Sequence, residues 1–191
     1  MMDPEVLQRK FCGCLVGLAL GDALGAPFEG REAVSSTEVR AVSERIKILR
    51  YTDDTHMALG VAESLITCRG FDGQHMAETF VRNFEQEPWR GYGPGPPRIF
   101  RRIKLGARWD RAAESVYPGG SFGNGAAMRV APVGLFYYHN RKKLREVAYL
   151  SSRITHAHPL GKEGAAIQAC AVALAVACGP AGSPNDFLAE L

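Results

Sequence analysis

The sequence predicts an all-α protein, a compact multi-helix fold, and three observations carry that expectation. Apolar residues recur at helical spacing in several segments, no segment alternates in the manner of a half-buried strand, and glycine-rich stretches separate the periodic segments. A chain of 191 residues buries one good core, or one domain and part of another. The formal net charge of +3 gives no bulk electrostatic reason to expect a nucleic-acid or membrane partner.

The first segment carries Gly13, Gly17, Gly21 and Gly25, one glycine every fourth residue. Such a smooth stripe on a helix is expected to serve close helix packing, which must offset glycine's poor helix propensity, with the Gly21-Asp22 end opening toward a site. Residues 11–20 behind Arg9 and Lys10 imitate the apolar region of a signal peptide, but glycines interrupt the run, Asp22 follows it, and it is too short to span a bilayer. Glu29 lies just beyond, in Gly25-Ala26-Pro27-Phe28-Glu29-Gly30, where a loop glutamate is either solvated or free to act as metal ligand or general base.

The polar cluster Tyr51-Thr52-Asp53-Asp54-Thr55 stands at the mouth of a periodic run through Met57, Ala58, Val61, Ala62, Leu65 and Ile66. Two readings stay open. Thr and Asp are residues a helix accepts at its N-cap, where they satisfy orphan N–H groups. One cap suffices, however, and successive residues diverge by about 100° around a helix, so adjacent carboxylates also suit hard cations such as Mg2+.

A second amphipathic helix is expected from Asp72, with Met76, Phe80 and Phe84 every fourth residue and Pro88 as its stop. The run Arg90-Gly91-Tyr92-Gly93-Pro94-Gly95-Pro96-Pro97 reads as a loop. After it, Arg98, Arg101, Arg102, Lys104, Arg108 and Arg111, interleaved with Phe100 and Trp109, form either a solvated basic face or a surface for a polyanion. A second loop, Gly119-Gly120-Ser121-Phe122-Gly123-Asn124-Gly125, precedes an apolar run and is either a flexible turn or a backbone nest for a pyrophosphate at a helix N-terminus.

A helix beginning at Asn140 points Leu144, Val147 and Ala148 inward. In Thr155-His156-Ala157-His158-Pro159, one histidine is a candidate ligand contact, against a plain core or surface role. Residues 165–178 are apolar nearly all round, as in a central helix shielded by its neighbours, and Gly179-Pro180 stops it. Ser183, Pro184 and Asp186 then read as the opening of a further helix with Phe187, Leu188 and Leu191 on its apolar face, cut off before any C-cap. The five cysteines, odd in number and without a Cys-x-x-Cys pair, favour a reducing compartment.

Four motifs taken in order resemble the ADP-ribosylglycohydrolase family. They are Gly17-x-x-x-Gly21-Asp22-x-x-Gly25 with Glu29, then Tyr51-Thr52-Asp53-Asp54-Thr55, then residues 120–125 continuing to Met128-Arg129, then Thr155-His156. The likeness runs from residue 11 to residue 191 and is greatest to the branch that removes ADP-ribose from serine and trims poly(ADP-ribose), which the Arg90-Gly91-Tyr92-Gly93 run supports.

The resemblance implies an all-helical domain holding two Mg2+ ions against the distal ribose of ADP-ribose. It makes Glu29, Thr52, Asp53 and Asp54 metal ligands, with Glu29, Asp53 and Asp54 catalytic. Gly119, Gly120, Ser121, Phe122, Gly123, Asn124, Gly125 and His156 would bind the substrate. Implied partners are ADP-ribose, serine-ADP-ribosylated proteins and poly(ADP-ribose), without sequence-specific nucleic-acid binding or a membrane. The complete protein would be a monomer, active in the DNA-damage response in nucleus and cytoplasm and in the mitochondrial matrix.

Two departures from the family pattern stand out. No Asp-x-Asp-Thr follows Asp54, so residues 1–191 read as the N-terminal portion of a single domain whose second metal-binding element is absent. Such a chain is expected to coordinate metal incompletely, and to be inactive and poorly soluble alone. Phe122 stands where the pattern has a tyrosine, which removes a hydroxyl contact and keeps backbone recognition. The rival expectation is a catalytically dead ADP-ribose-binding module or a crystallin-like structural protein.

Overall fold

The structure is a computed structural model and describes residues 2–178 and 184–191, all helix, turn and loop among the described residues. In chain order the helices are α1 (Pro4–Gly25), α2 (Ser36–Ser43), α3 (Asp53–Thr67), α4 (Gly73–Gln86), α5 (Gly95–Lys104), α6 (Ala131–Phe136), α7 (Arg141–Ser152), α8 (Pro159–Ala177) and α9 (Pro184–Glu190). Short 3-10 turns at Ala26–Phe28 and Asn124–Ala126 complete the set.

Helix starts follow the expected chemistry at two places. Asp72 accepts the His75 backbone N–H at 2.9 Å to cap α4, and Asn140 accepts that of Lys143 at 3.0 Å to cap α7. The core is built where α3 packs on α4 and α6, α4 on α5, and α8 on α6 and α7. Met57, Val61 and Leu65 of α3 meet Met76 and Phe80 of α4 there, with Ile99, Phe100 and Ile103 from α5. Leu144, Val147 and Ala148 fill the α7 side as their spacing predicts.

Several expectations need correction. Among the described residues nothing packs on the glycine stripe of α1: a Cβ added at Gly13, Gly17, Gly21 or Gly25 would meet nothing within 4 Å. The helix also runs unbroken through those glycines for 22 residues. By length and composition alone, α1 with its 3-10 extension, and α8, are long and apolar enough to cross a membrane, so residues 11–20 are not the isolated short run the sequence suggested. Their contacts tie both helices to the folded body: Lys10 of α1 donates to the last carbonyls of α8, and α8 packs on α6 and α7.

Helix α8 is shielded on one face only, since Ala165, Ala166 and Ala169 are buried while Ile167 is exposed. Helix α5 begins inside the run that reads as a loop, because Pro96 and Pro97 occupy the first turn, where a missing N–H costs nothing. That helix also resolves the basic stretch: Arg98, Arg101, Arg102 and Lys104 face solvent, whereas Phe100 is buried and Trp109 packs against Gly73. The interleaved aromatics therefore serve the core, and Lys104 and Arg108 pair with Glu85 and Asp110. Gly179, Pro180 and Ser183 lie outside the described residues; Leu188 and Leu191, on the face the sequence assigns to the core, are exposed.

Candidate functional site

A pocket of about 600 Å³ opens where α1, α3 and the loops after α1, α4 and residue 119 converge. Four carboxyl-bearing residues line it: Asp22 from the end of α1, Glu29 from the loop beyond, and Asp53 and Asp54 from the first turn of α3. Gly91, Asn124, Gly125, Met128 and His156 complete much of the wall.

The start of α3 explains why these carboxylates are free to face the pocket. Thr52 occupies the N-cap position yet makes no capping bond with its side chain. Instead Asp22 reaches across from α1. Its Oδ2 accepts the backbone N–H groups of Thr52 and Thr55 at 2.9 and 3.0 Å and the Thr55 hydroxyl at 2.6 Å, while Oδ1 accepts the Thr52 hydroxyl at 2.6 Å. The cap of α3 is thus a carboxylate from another helix, and the reading of Thr52, Asp53 and Asp54 as self-capping residues does not hold.

From the other side Arg90 fixes the approach to the helix. Its guanidinium lies 3.8 Å over the Tyr51 ring, Nη1 donates to the Tyr51 carbonyl at 3.1 Å and Nε to Glu87 at 2.6 Å. The Tyr92 hydroxyl shares a 2.8 Å hydrogen bond with Nδ1 of buried His56. The Arg90-Gly91-Tyr92 run therefore braces the acidic turn.

Electrostatically the pocket carries uncompensated negative charge. Burial, and then the neighbouring charge of Asp54, raise the Asp53 carboxyl to about 7. Burial, and then repulsion from Asp22 and Glu29, raise Asp54 to about 6. Among the described residues the one fully buried Lys or Arg is Arg129, whose charged form Asp53 favours across the core, but it is itself bonded to Thr155 and to the Ser151 carbonyl.

Of the residues the sequence singled out, the structure brings together Glu29, Asp53, Asp54, Asn124, Gly125 and His156. Thr52 stands at the edge with its hydroxyl proton committed to Asp22. The glycine loop is not a nest at an α-helix N-terminus, because only a 3-10 turn at Asn124–Ala126 follows it before α6. Gly119, Gly120, Ser121, Phe122 and Gly123 lie outside the pocket wall; Phe122 is exposed and meets the His158 ring edge-on at 5.4 Å. Glycine is nonetheless required in this loop. A Cβ on Gly120, which has φ +85°, would lie 2.2 Å from the His158 backbone nitrogen, and one on Gly125 would lie 2.4 Å from Cε1 of His156.

Sequence reasoning missed the structural weight of Asp22 and Arg129, although both lie inside quoted motifs. The signal for Asp22 was its place at the end of a glycine-rich helix without a basic partner nearby in sequence. For Arg129 it was a lone arginine in an apolar run.

Comparison with known proteins places the chain in a family. The chain is 37% identical over 201 residues to ADP-ribosylhydrolase ARH3 of Danio rerio, covering 100% of this chain and 54% of that protein. It is 38% identical over 197 residues to ADP-ribosylhydrolase ARH3 of Homo sapiens, covering 95% and 53% respectively. It is 31% identical over 168 residues to ADP-ribosyl-[dinitrogen reductase] glycohydrolase of Rhodospirillum rubrum, covering 84% and 55%. The chain spans about half the length of the curated relatives it matches. The family profile described as ADP-ribosylglycohydrolase matches residues 3–191, and the chain belongs to the ADP-ribosylglycohydrolase family, with whose all-helical fold the structure agrees.

Proposed function

We propose that the protein is a Mg2+-dependent hydrolase that releases ADP-ribose from serine-ADP-ribosylated proteins and from poly(ADP-ribose). The observation that carries this reading is the convergence of Asp22, Glu29, Asp53 and Asp54 on one pocket that Asn124, Gly125 and His156 also line. Similarity to proteins named ADP-ribosylhydrolase ARH3 supports the substrate class. The unpaired state of the cysteines supports a reducing compartment, such as nucleus or cytoplasm.

The donor set suits a hard cation by chemistry: carboxylate and hydroxyl oxygens carrying unneutralised charge. Among the described residues no three His, Cys, Asp or Glu side chains gather into a group that holds an ion by itself, and Mg2+ is the cation whose usual coordination, one or two carboxylates and several waters, asks least of the protein. Asp53 and Asp54, with Glu29 and the free lone pairs of Thr52, are the residues that would hold it. When bound, such an ion orients ribose hydroxyls and stabilises charge developing as the glycosidic bond breaks.

Glu29 has a second task beside helping to hold the ion. Glu29 sits exposed at the end of a 3-10 turn, and among the described residues only its backbone N–H is tied, to the Ala26 carbonyl at 3.4 Å, so its carboxylate is available to take a proton from an attacking water. Asn124, Gly125 and His156 offer polar contacts to the ligand.

The test, made on the full-length protein because residues 1–191 span about half the length of the relatives, is release of ADP-ribose from a serine-ADP-ribosylated peptide, with Mg2+ and with a chelator, by the wild type and by Glu29→Gln. The expected result is chelator-sensitive release that Glu29→Gln lowers by roughly a hundredfold or more without a change in melting temperature. Chelator-insensitive release, or full activity in Glu29→Gln, would overturn the assignment. The second reading is a module that binds ADP-ribose without cleaving it; ADP-ribose binding with no release identifies that case.

A further inference from the structure

We infer that Arg129 and Thr155 are positioning residues that fix His156 in the tautomer carrying its proton on Nε2, and so present a neutral N–H donor to the ligand in the acidic pocket. The assignment of the ligand as ADP-ribose rests on the proposed function; the tautomer does not.

The inference follows from counting protons along one buried chain. Nη1 of Arg129 lies 2.7 Å from Oγ1 of Thr155, and Oγ1 lies 2.8 Å from Nδ1 of His156. A guanidinium only donates, so Arg129 occupies a lone pair of the threonine oxygen. The Thr155 hydroxyl then has one proton to place, and among the described residues Nδ1 of His156 is its one acceptor. Nδ1 must therefore be bare, and the ring proton resides on Nε2.

The arrangement is rigid. Arg129 is 1% exposed, donates through Nη2 to the Ser151 carbonyl at 3.0 Å and lies 4.9 Å over the Phe80 ring. On the far side the His156 ring is clamped by Gly125, where a Cβ would fall 2.8 Å from Nε2, and by Gly123 at 3.5 Å. The Nε2 edge thus lies against the glycine loop at the pocket wall, and the described residues offer it no acceptor. Histidine here is a hydrogen-bond donor to an acceptor oxygen of the ligand, a phosphate or ribose oxygen if the ligand is ADP-ribose. Its Nε2 is not the base of the reaction, because that nitrogen already holds its proton.

Long-range proton–nitrogen correlation spectra of the isotope-labelled chain test this directly, with His156→Gln identifying the ring signals. The expected result at neutral pH is a bare Nδ1 and a protonated Nε2, retained in Thr155→Ser and lost to a tautomer mixture in Thr155→Val. In calorimetry Thr155→Val should bind ADP-ribose roughly tenfold more weakly while Thr155→Ser stays near wild type. A protonated Nδ1 in the wild type, or an unchanged tautomer in Thr155→Val, would overturn the inference; should the valine variant fail to fold, the wild-type spectrum decides alone. An Nε2-protonated ring in a wild type that does not bind ADP-ribose would uphold the relay and sink the substrate reading instead.

Discussion

Asp22 at the end of α1 holds the first turn of α3 through Thr52 and Thr55, its two carboxylate oxygens accepting both hydroxyls at 2.6 Å and both backbone N–H groups at 2.9 and 3.0 Å. One side chain thereby sets where the acidic turn sits. Asp22→Ala leaves two backbone donors and two hydroxyls without this acceptor and should cost about 2–4 kcal/mol in denaturant unfolding. Asp22→Asn keeps one carbonyl oxygen for the Oδ2 bonds and should cost about 1 kcal/mol or less. Equal losses in the two variants would show that the cap is not what Asp22 contributes.

Because Asp22 caps α3, neither Asp53 nor Asp54 is needed to start the helix. Their native carboxyls lie near 7 and 6, above the ordinary 3.8, so ionising them weakens the fold as pH rises through that window. In metal-free protein at pH above 7, Asp53→Asn or Asp54→Asn should therefore raise stability, by about 1–2 kcal/mol once partial solvent exposure is discounted. The same variants should lose the rise in melting temperature that Mg2+ gives the wild type. A lower melting temperature in both, with an intact Mg2+ response, would return them to a purely structural role.

The acidic turn was legible in sequence because it stands next to a strong helical period from Met57 to Leu65, and because hydroxyls and carboxylates crowd there. Its cap was not legible, since Asp22 precedes Thr52 by 30 residues and nothing local links them. The glycine stripe misled for a related reason: spacing shows that a helix face is smooth, not that anything lies against it. Helix α2 escaped notice because its 8 residues are too few for the Val39 and Val42 spacing to stand out, although Ser35 and Glu38 form a reciprocal capping box. Helix α5 was hidden by prolines that a first turn tolerates.

The fit of Gly125 beneath His156 predicts a local and specific defect. A Cβ 2.4 Å from Cε1 cannot be accommodated without moving the ring. Gly125→Ala should weaken ADP-ribose binding by roughly tenfold or more, with a stability loss of about 1–3 kcal/mol from overpacking. Wild-type affinity in this variant would show that the ring is not held by the loop.

His156 also predicts a pH response. Burial, and then repulsion from Arg129, lower its pKa from 6.5 to about 4. Between those values the unfolded chain takes up a proton that the native chain does not, so this group's contribution to stability is complete above pH 6.5 and is lost as pH falls toward 4. The full loss is on the order of 3 kcal/mol. Denaturant unfolding of wild type and His156→Gln across this window should show their stability difference shifting against the wild type by about that amount as pH falls. Parallel pH profiles would contradict the buried neutral imidazole.

The central claim, that the acidic turn of α3 forms a cation site serving ADP-ribose, is tested most directly by calorimetric titration of ADP-ribose into wild type and Asp54→Asn, with Mg2+ and with a chelator. The account predicts that Mg2+ tightens ADP-ribose binding by wild type at least tenfold and has no effect on Asp54→Asn. ADP-ribose affinity that is the same with and without Mg2+, and unchanged by Asp54→Asn, would contradict it.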